Sequence, residues 1–223
     1  MHRSCKRIVA PLFLLLAAAA VFTPQAALAD PVTIFSTLGP IGPSNGGLAI
    51  GSGVEDQFAY SFTPSSSYIL NSISVAAWHE SGPNQLTVYL ASGLSQPGSP
   101  IETFSLTGLS PFPGTILTAT SSLNPTLFVG TRYWVVVSAA DLADTTEAWE
   151  VGSVAIGSVP GMLAVQSEFT SSPVWFSSPG IDSPSALTGA FAVTGIPAPE
   201  PTIGAYCLLG LAVLGLVIRR RHT

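Results

Sequence analysis

An all-β chain is predicted by three features of the sequence. Apolar residues recur with period two, β-branched and aromatic side chains fill those runs, and Gly/Pro/Ser/Asn clusters separate them. Between residues 30 and 195 no window of ten or more residues carries a helical period. Short strands at roughly 10–15 residue intervals, without helices, predict a jelly-roll-like antiparallel β-sandwich. An N-terminal signal peptide and a single C-terminal apolar helix are expected to flank it.

Residues 1–29 read as a secretory signal. His2, Arg3, Lys6 and Arg7 form a basic start, residues 8–21 an apolar run, and Ala27-Leu28-Ala29 a small-residue cleavage site. The mature chain is then expected to begin at Asp30. Residues 30–57, rich in Gly, Pro and Ser, read as an irregular leader with one edge strand.

The sandwich is assigned to residues 58–195. Phe58, Tyr60 and Phe62 alternate with Ala59 and Ser61; Ile73, Val75 and Ala77 alternate with Ser72 and Ser74. Leu86, Val88 and Leu90 form a third such set, and Tyr133, Val135 and Val137 a fourth, opposite Trp134 and Val136. Leu187, Phe191 and Val193 share one face of a last strand. Turns are expected at residues 81–84 and 96–100, where Gly and Pro cluster. Residues 171–185 read as a long loop around Trp175.

Residues 196–201 form a spacer ending in Pro199-Glu200-Pro201, followed by an apolar helix over 202–218 and a basic tail over 219–223. Both prolines fix φ, and Pro201 disfavours helix at Glu200, so the helix is expected to start after the tripeptide. Residues 203–218 contain no charge. At ~1.5 Å per residue they make about 24 Å, a short membrane span that Thr202 and the arginine stems extend. Arg219, Arg220 and Arg221 place its far end in the cytoplasm by the positive-inside rule.

Charge is segregated along the chain. Six of the seven basic residues lie in the two terminal segments, and only Arg132 lies in the body. With eleven acidic residues, the stretch 30–198 carries a formal charge of −10, which the whole-chain value of −5 conceals. Such a body lacks the Lys and Arg that neutralise phosphates, which excludes nucleic acid as a partner. Cys5 and Cys207 both sit in the terminal segments, so no disulfide framework is expected and one hydrophobic core must stabilise the domain.

Few residues carry candidate chemistry. His79 is the only histidine of the body, so a Ser-His-acid triad would have to use it. A lone loop histidine beside Glu80 is more often solvated, and one His without Cys leaves no zinc ligand set. Asp141, Asp144, Glu147 and Glu150 stand three residues apart and offer a weak calcium candidate, against the plainer reading of a solvated acidic loop. Glu55, Asp56, Glu80, Glu102 and Glu168 could supply a glycosidase pair, but nothing in the sequence pairs any two. Trp78 and Trp175 form a possible platform for sugar rings, whereas Trp134, flanked by core residues, reads as core. No enzyme and no cofactor are expected.

Two resemblances add to this reading. Pro-Glu-Pro, a short apolar helix and an arginine cluster, Pro199 to Arg221, resemble the PEP-CTERM sorting signal of Gram-negative bacteria. The resemblance implies recognition by an exosortase at the inner membrane, cleavage near the tripeptide, and transfer to the envelope or exopolysaccharide. The order Tyr68-Ile-Leu-Asn-Ser-Ile73, Asn84-Gln-Leu-Thr-Val-Tyr-Leu90, Pro97-Gly98, Glu102, Thr131-Arg-Tyr-Trp134, Trp149 and Gly189-Ala-Phe-Ala-Val193 is similar to the choice-of-anchor R domain. That family implies a secreted β-sandwich module and no catalytic residues. The combined expectation is an exported, exosortase-sorted protein with a structural or adhesive role at the cell surface or in the extracellular matrix. A carbohydrate-binding module is the alternative, and a polysaccharide hydrolase using Glu80 or Glu168 a more distant one.

Overall fold

The computed structural model describes residues 29–39, 46–51, 57–141, 145–152, 156–157, 159–167, 174–177 and 189–199. These residues contain no helix and build two antiparallel sheets. The strands are β1 (Val32–Ser36), β2 (Gly47–Gly51), β3 (Gln57–Thr63), β4 (Tyr68–Ser81), β5 (Gln85–Ser92), β6 (Pro100–Thr107) and β7 (Thr115–Thr120). They continue with β8 (Thr126–Leu127), β9 (Tyr133–Ala139), β10 (Thr146–Glu150), β11 (Ile156–Gly157), β12 (Val159–Ser167), β13 (Val174–Ser177) and β14 (Phe191–Pro197).

The first sheet runs β11-β1-β14-β4-β10-β2 and is organised by the long β4, which also pairs with β7 and β8. The second runs β13-β12-β3-β9-β5-β6. Alternation decides which side chains meet between them. Phe35 of the first sheet lies 6.0 Å from Tyr60 and 5.8 Å from Phe62 of the second, ring centre to ring centre. Phe191 lies 5.2 Å from Phe35 and 5.7 Å from Tyr60. Val75, Leu86, Val88, Val135 and Val137 fill the same core with no exposure.

Strand β9 is buried along its whole length. Its Tyr133, Val135 and Val137 face the main core, while Trp134 and Val136 join Ala59, Ala91 and Ala164 in a second cluster on the other face. Half-buried Tyr89 and Trp175 pack against that cluster. The Tyr89 hydroxyl donates to Gln57 Oε1 at 3.0 Å, and burial pushes its pKa up to about 12, so it remains a donor.

Four expectations need correction. The stretch 30–57 is not an irregular leader: it contributes two strands, and β1 lies inside the sheet between β11 and β14 because Phe35 belongs to the core. Residues 174–177 of the expected long loop form strand β13, paired with β12 from Ala164↔Ser177 to Ser167↔Val174. Glu147 and Glu150 stand on strand β10, not in a loop, with Glu147 opposite His79 and Ile50. The spacer is shorter than expected, since Ile196 and Pro197 pair with Ile69 and Tyr68, and the Ala198 amide donates to the Ser67 carbonyl at 3.0 Å. Residues 1–28 and 200–223, including Ala27, the signal and the apolar span, lie outside the described residues.

Candidate functional site

The strand pairing brings both exits of the body to one end of the two sheets. Val32 pairs with Gly195, so Ala29 and Asp30 lie beside the stretch that leads to Pro199. The Ser65–Ser67 turn and residues 128–132 close around that point. The Val129 amide donates to Ser67 Oγ at 3.2 Å, the Gly130 amide to the Pro64 carbonyl at 3.0 Å, and the Phe128 amide to the Tyr133 hydroxyl at 2.9 Å. The β5–β6 loop joins them, because the Gly93 amide donates to the Arg132 carbonyl and the Arg132 guanidinium to the Leu94 carbonyl.

A groove of about 890 Å³ opens at this end, walled by Tyr68, Phe128, Val129, Pro197 and Pro199 among others, and among the described residues no charged one lines it. Pro199 is exposed at its rim. The tripeptide therefore begins hard against the body, one residue after the hydrogen-bonded Ala198. Glu200, Pro201 and Arg219 to Arg221 are outside the described residues.

The proposed sugar platform does not form. Trp78 lies on the face opposite Ile73 and Val75, as its alternation requires, but only 8% of it is exposed. Gly47 of β2 lies so close that a Cβ there would come within 2.2 Å of the indole ring, and Phe112 packs edge-on at 5.2 Å. The Trp78 indole N–H donates to Glu80 Oε1 at 3.0 Å. Trp175 is half-buried on β13 against the second cluster, on the other sheet from Trp78. The two rings share no surface.

The acidic set does not converge either. Glu147 and Glu150, three residues apart on one strand, face opposite ways. Among the described residues no three His, Cys, Asp or Glu side chains lie together as a metal site, and Asp144 lies outside them. Two of the carboxylates weighed for hydrolysis, Glu80 and Glu102, are engaged in hydrogen bonds. Glu102 is 5% exposed and accepts from Ser121 Oγ at 2.6 Å, Ser122 N at 2.7 Å, Ser122 Oγ at 3.2 Å and Leu123 N at 3.0 Å. Burial alone would raise its pKa, but these hydrogen bonds outweigh burial and hold it below the usual value. Glu55, Asp56 and Glu168 lie outside the described residues. The sequence also spells Gly-x-Ser-x-Gly over residues 42–46, yet Gly46 leads into strand β2 rather than the helix that a nucleophile elbow requires.

His79 was expected in a loop but stands on strand β4, and sequence reasoning missed its pairing with Glu147. The His79 Nδ1 to Glu147 Oε1 distance is 3.0 Å, the carboxylate is fully buried, and its Oε2 has no hydrogen-bond partner. Burial pushes the Glu147 pKa above its ordinary value of 4.5, and the His79 hydrogen bond and charge offset part of that rise. A carboxyl group with a raised folded-state pKa contributes stability that is present below pH 4.5 and lost as pH rises through the folded value. Glu147→Gln is therefore expected to flatten the fall in stability above pH 4.5, read from urea midpoints in half-unit pH steps. An unchanged pH profile would contradict this placement.

Among the described residues no helix is long and apolar enough to cross a membrane. No protein-family model and no curated protein matches the chain.

Proposed function

We propose that this chain is an exported β-sandwich protein with jelly-roll-like connectivity, sorted by its PEP-CTERM-like tail to the envelope or extracellular matrix of a Gram-negative bacterium. Its role there is structural or adhesive, within exopolysaccharide, and it is not an enzyme. The observation that carries the reading is the order of parts around Pro199. A body whose last strand ends at Pro197 is followed at once by Pro199-Glu200-Pro201, the charge-free residues 203–218 and three arginines. In that arrangement Glu200 is held between two prolines at the outer membrane surface, where an exosortase reads it and cuts. The signal over residues 1–29, with cleavage after Ala29, brings the body across the inner membrane first.

Support for a non-catalytic role comes from the engagement of Glu102 and Glu80 in structural hydrogen bonds. The covering of Trp78 removes the platform on which a carbohydrate-binding reading rested.

The reading is tested by replacing Glu200→Ala and fractionating the host. The unaltered chain is expected in envelope and medium fractions, and the variant held in the inner membrane. Equal distributions would contradict exosortase sorting.

A further inference from the structure

The exposed apolar side chains are not scattered. Of the seven large ones that the body exposes among its described residues, five (Val32, Leu94, Leu123, Phe128 and Val129) lie at the end where the chain leaves toward residue 200. Leu94, Leu123, Phe128 and Val129 are 85%, 65%, 59% and 57% exposed. Each sits on a loop or turn tip held by hydrogen bonds, so the side chains are presented by ordered backbone rather than by slack segments. The other two, Phe112 and Ile116, lie toward the far end, with Phe112 against Trp78.

Charge is mixed at this end, where exposed Asp30 lies beside the exit strand and buried Glu102 holds the Leu123 turn. Arg132, the one basic residue of the body, stands at the tail end beside Leu94. Glu80, Asp141 and Glu147 stand at the opposite end, near the last residues of β4 and β9. Among the described residues no charged one lines the groove next to Pro199, although the body carries −10.

We infer that this end of the domain is a membrane-resting face, which seats its apolar loop tips in the lipid interface while the tail is still uncut. The inference rests on the reading of residues 203–218 as a membrane span. From Pro199 to the first residue of that span the chain covers four residues, at most about 14 Å. The body cannot stand further off than that, so Phe128, Val129 and Leu94 lie within reach of the headgroup boundary. Apolar tips presented on ordered loops are what a lipid interface accepts. The contact orients the body over its tail and holds the Pro-Glu-Pro segment at one height above the bilayer.

The test uses the membrane-bound chain purified from a host lacking the exosortase, carrying Cys207→Ser and either Val129→Cys or Ile116→Cys. An environment-sensitive dye is attached to the new cysteine. The protein is reconstituted into vesicles of phosphatidylcholine and phosphatidylglycerol with a spin label at headgroup depth. Flotation is measured first, and dye quenching second. The expected result is co-flotation, with loss of dye fluorescence at position 129 and none at 116. Adding Phe128→Glu should abolish the loss at 129 without changing flotation. Co-flotation with equal quenching at both positions overturns the membrane-resting face and leaves the anchor reading intact. Failure to float refutes the anchor reading, and this inference with it. No quenching in pure lipid, together with protection of position 129 from thiol reagents in exosortase-containing host membranes, overturns lipid as the occupant in favour of a protein.

Discussion

Trp149→Ala is expected to lower the stability of the domain by about 3–5 kcal/mol, the range for deleting a large buried aromatic ring. The indole has no exposure and packs on Phe191 at 5.9 Å. Its N–H donates to the Ala190 carbonyl at 3.0 Å. The ring is also a spacer between segments distant in sequence. It lies against Gly189, where a Cβ would approach the indole to 2.1 Å, so the backbone reaches it only because that residue is glycine. Its own strand joins β2 to β4 in the first sheet. The alanine variant loses ring burial, removes one of the two donors to the Ala190 carbonyl, which the Ala76 amide still reaches at 3.0 Å, and opens a cavity between two strands that were brought together over it. With total stabilities of about 5–15 kcal/mol for domains of this kind, such a loss leaves little margin. It should appear as a lower urea midpoint at unchanged slope. A midpoint within error of the parent would show that Trp149 is not the packing centre described here.

The second large effect is expected at Glu102. Its carboxylate gathers Ser121, Ser122 and Leu123 into the turn that follows β7, and the Ser121 hydroxyl in turn accepts from the Asn124 amide at 2.9 Å. Asn124 has a positive φ of 47°, so the turn is one that needs fixing. Glu102→Ala removes every acceptor at once and is expected to cost about 2–4 kcal/mol, since hydrogen bonds to a charged group are the stronger kind. The pH dependence has the opposite sign to that of Glu147. The Glu102 pKa is held down in the folded state, so its contribution is present above the ordinary value of 4.5 and disappears as pH falls through the folded value. Glu102→Gln should therefore lose stability at pH 7 and show a shallower decline in acid than the parent. A parallel decline would mean that the carboxylate is not ionised in this turn.

These two residues also mark how far the sequence could be read. Strands β3, β4, β5 and β9 were legible because their alternation is uninterrupted and their turns carry Gly or Pro. Strand β1 was not, since its five residues stand between Pro31 and the glycines and prolines of 39–43, a composition that locally signals irregular chain. Strand β10 was obscured by its glutamates. A pattern argument puts Glu147 outside, whereas the fold places it in the interior beside His79, a long-range pairing that no local window contains. Strand β13 was hidden for a similar reason, being four residues in a Ser/Pro-rich stretch.

The face of Trp78 followed correctly from period two, but its availability did not. Whether an outward ring is free depends on what crosses it, and here Gly47 and Phe112 come from distant parts of the chain. The Pro-Glu-Pro reading is of another kind, resting on residues that, from Glu200 on, lie outside those described. Its parts are contiguous, and their order alone suggests it.

The central claim is that the body is carried to the surface by a tail that is then removed. Its most direct test is the intact mass of the protein recovered from envelope and culture medium, in hosts with and without the exosortase. The account expects a chain that begins at Asp30 and lacks the segment after the Pro-Glu-Pro region, only where the enzyme is present, with any added mass belonging to the acceptor. An unshortened C-terminus in both hosts would contradict it and make the tail a permanent membrane anchor.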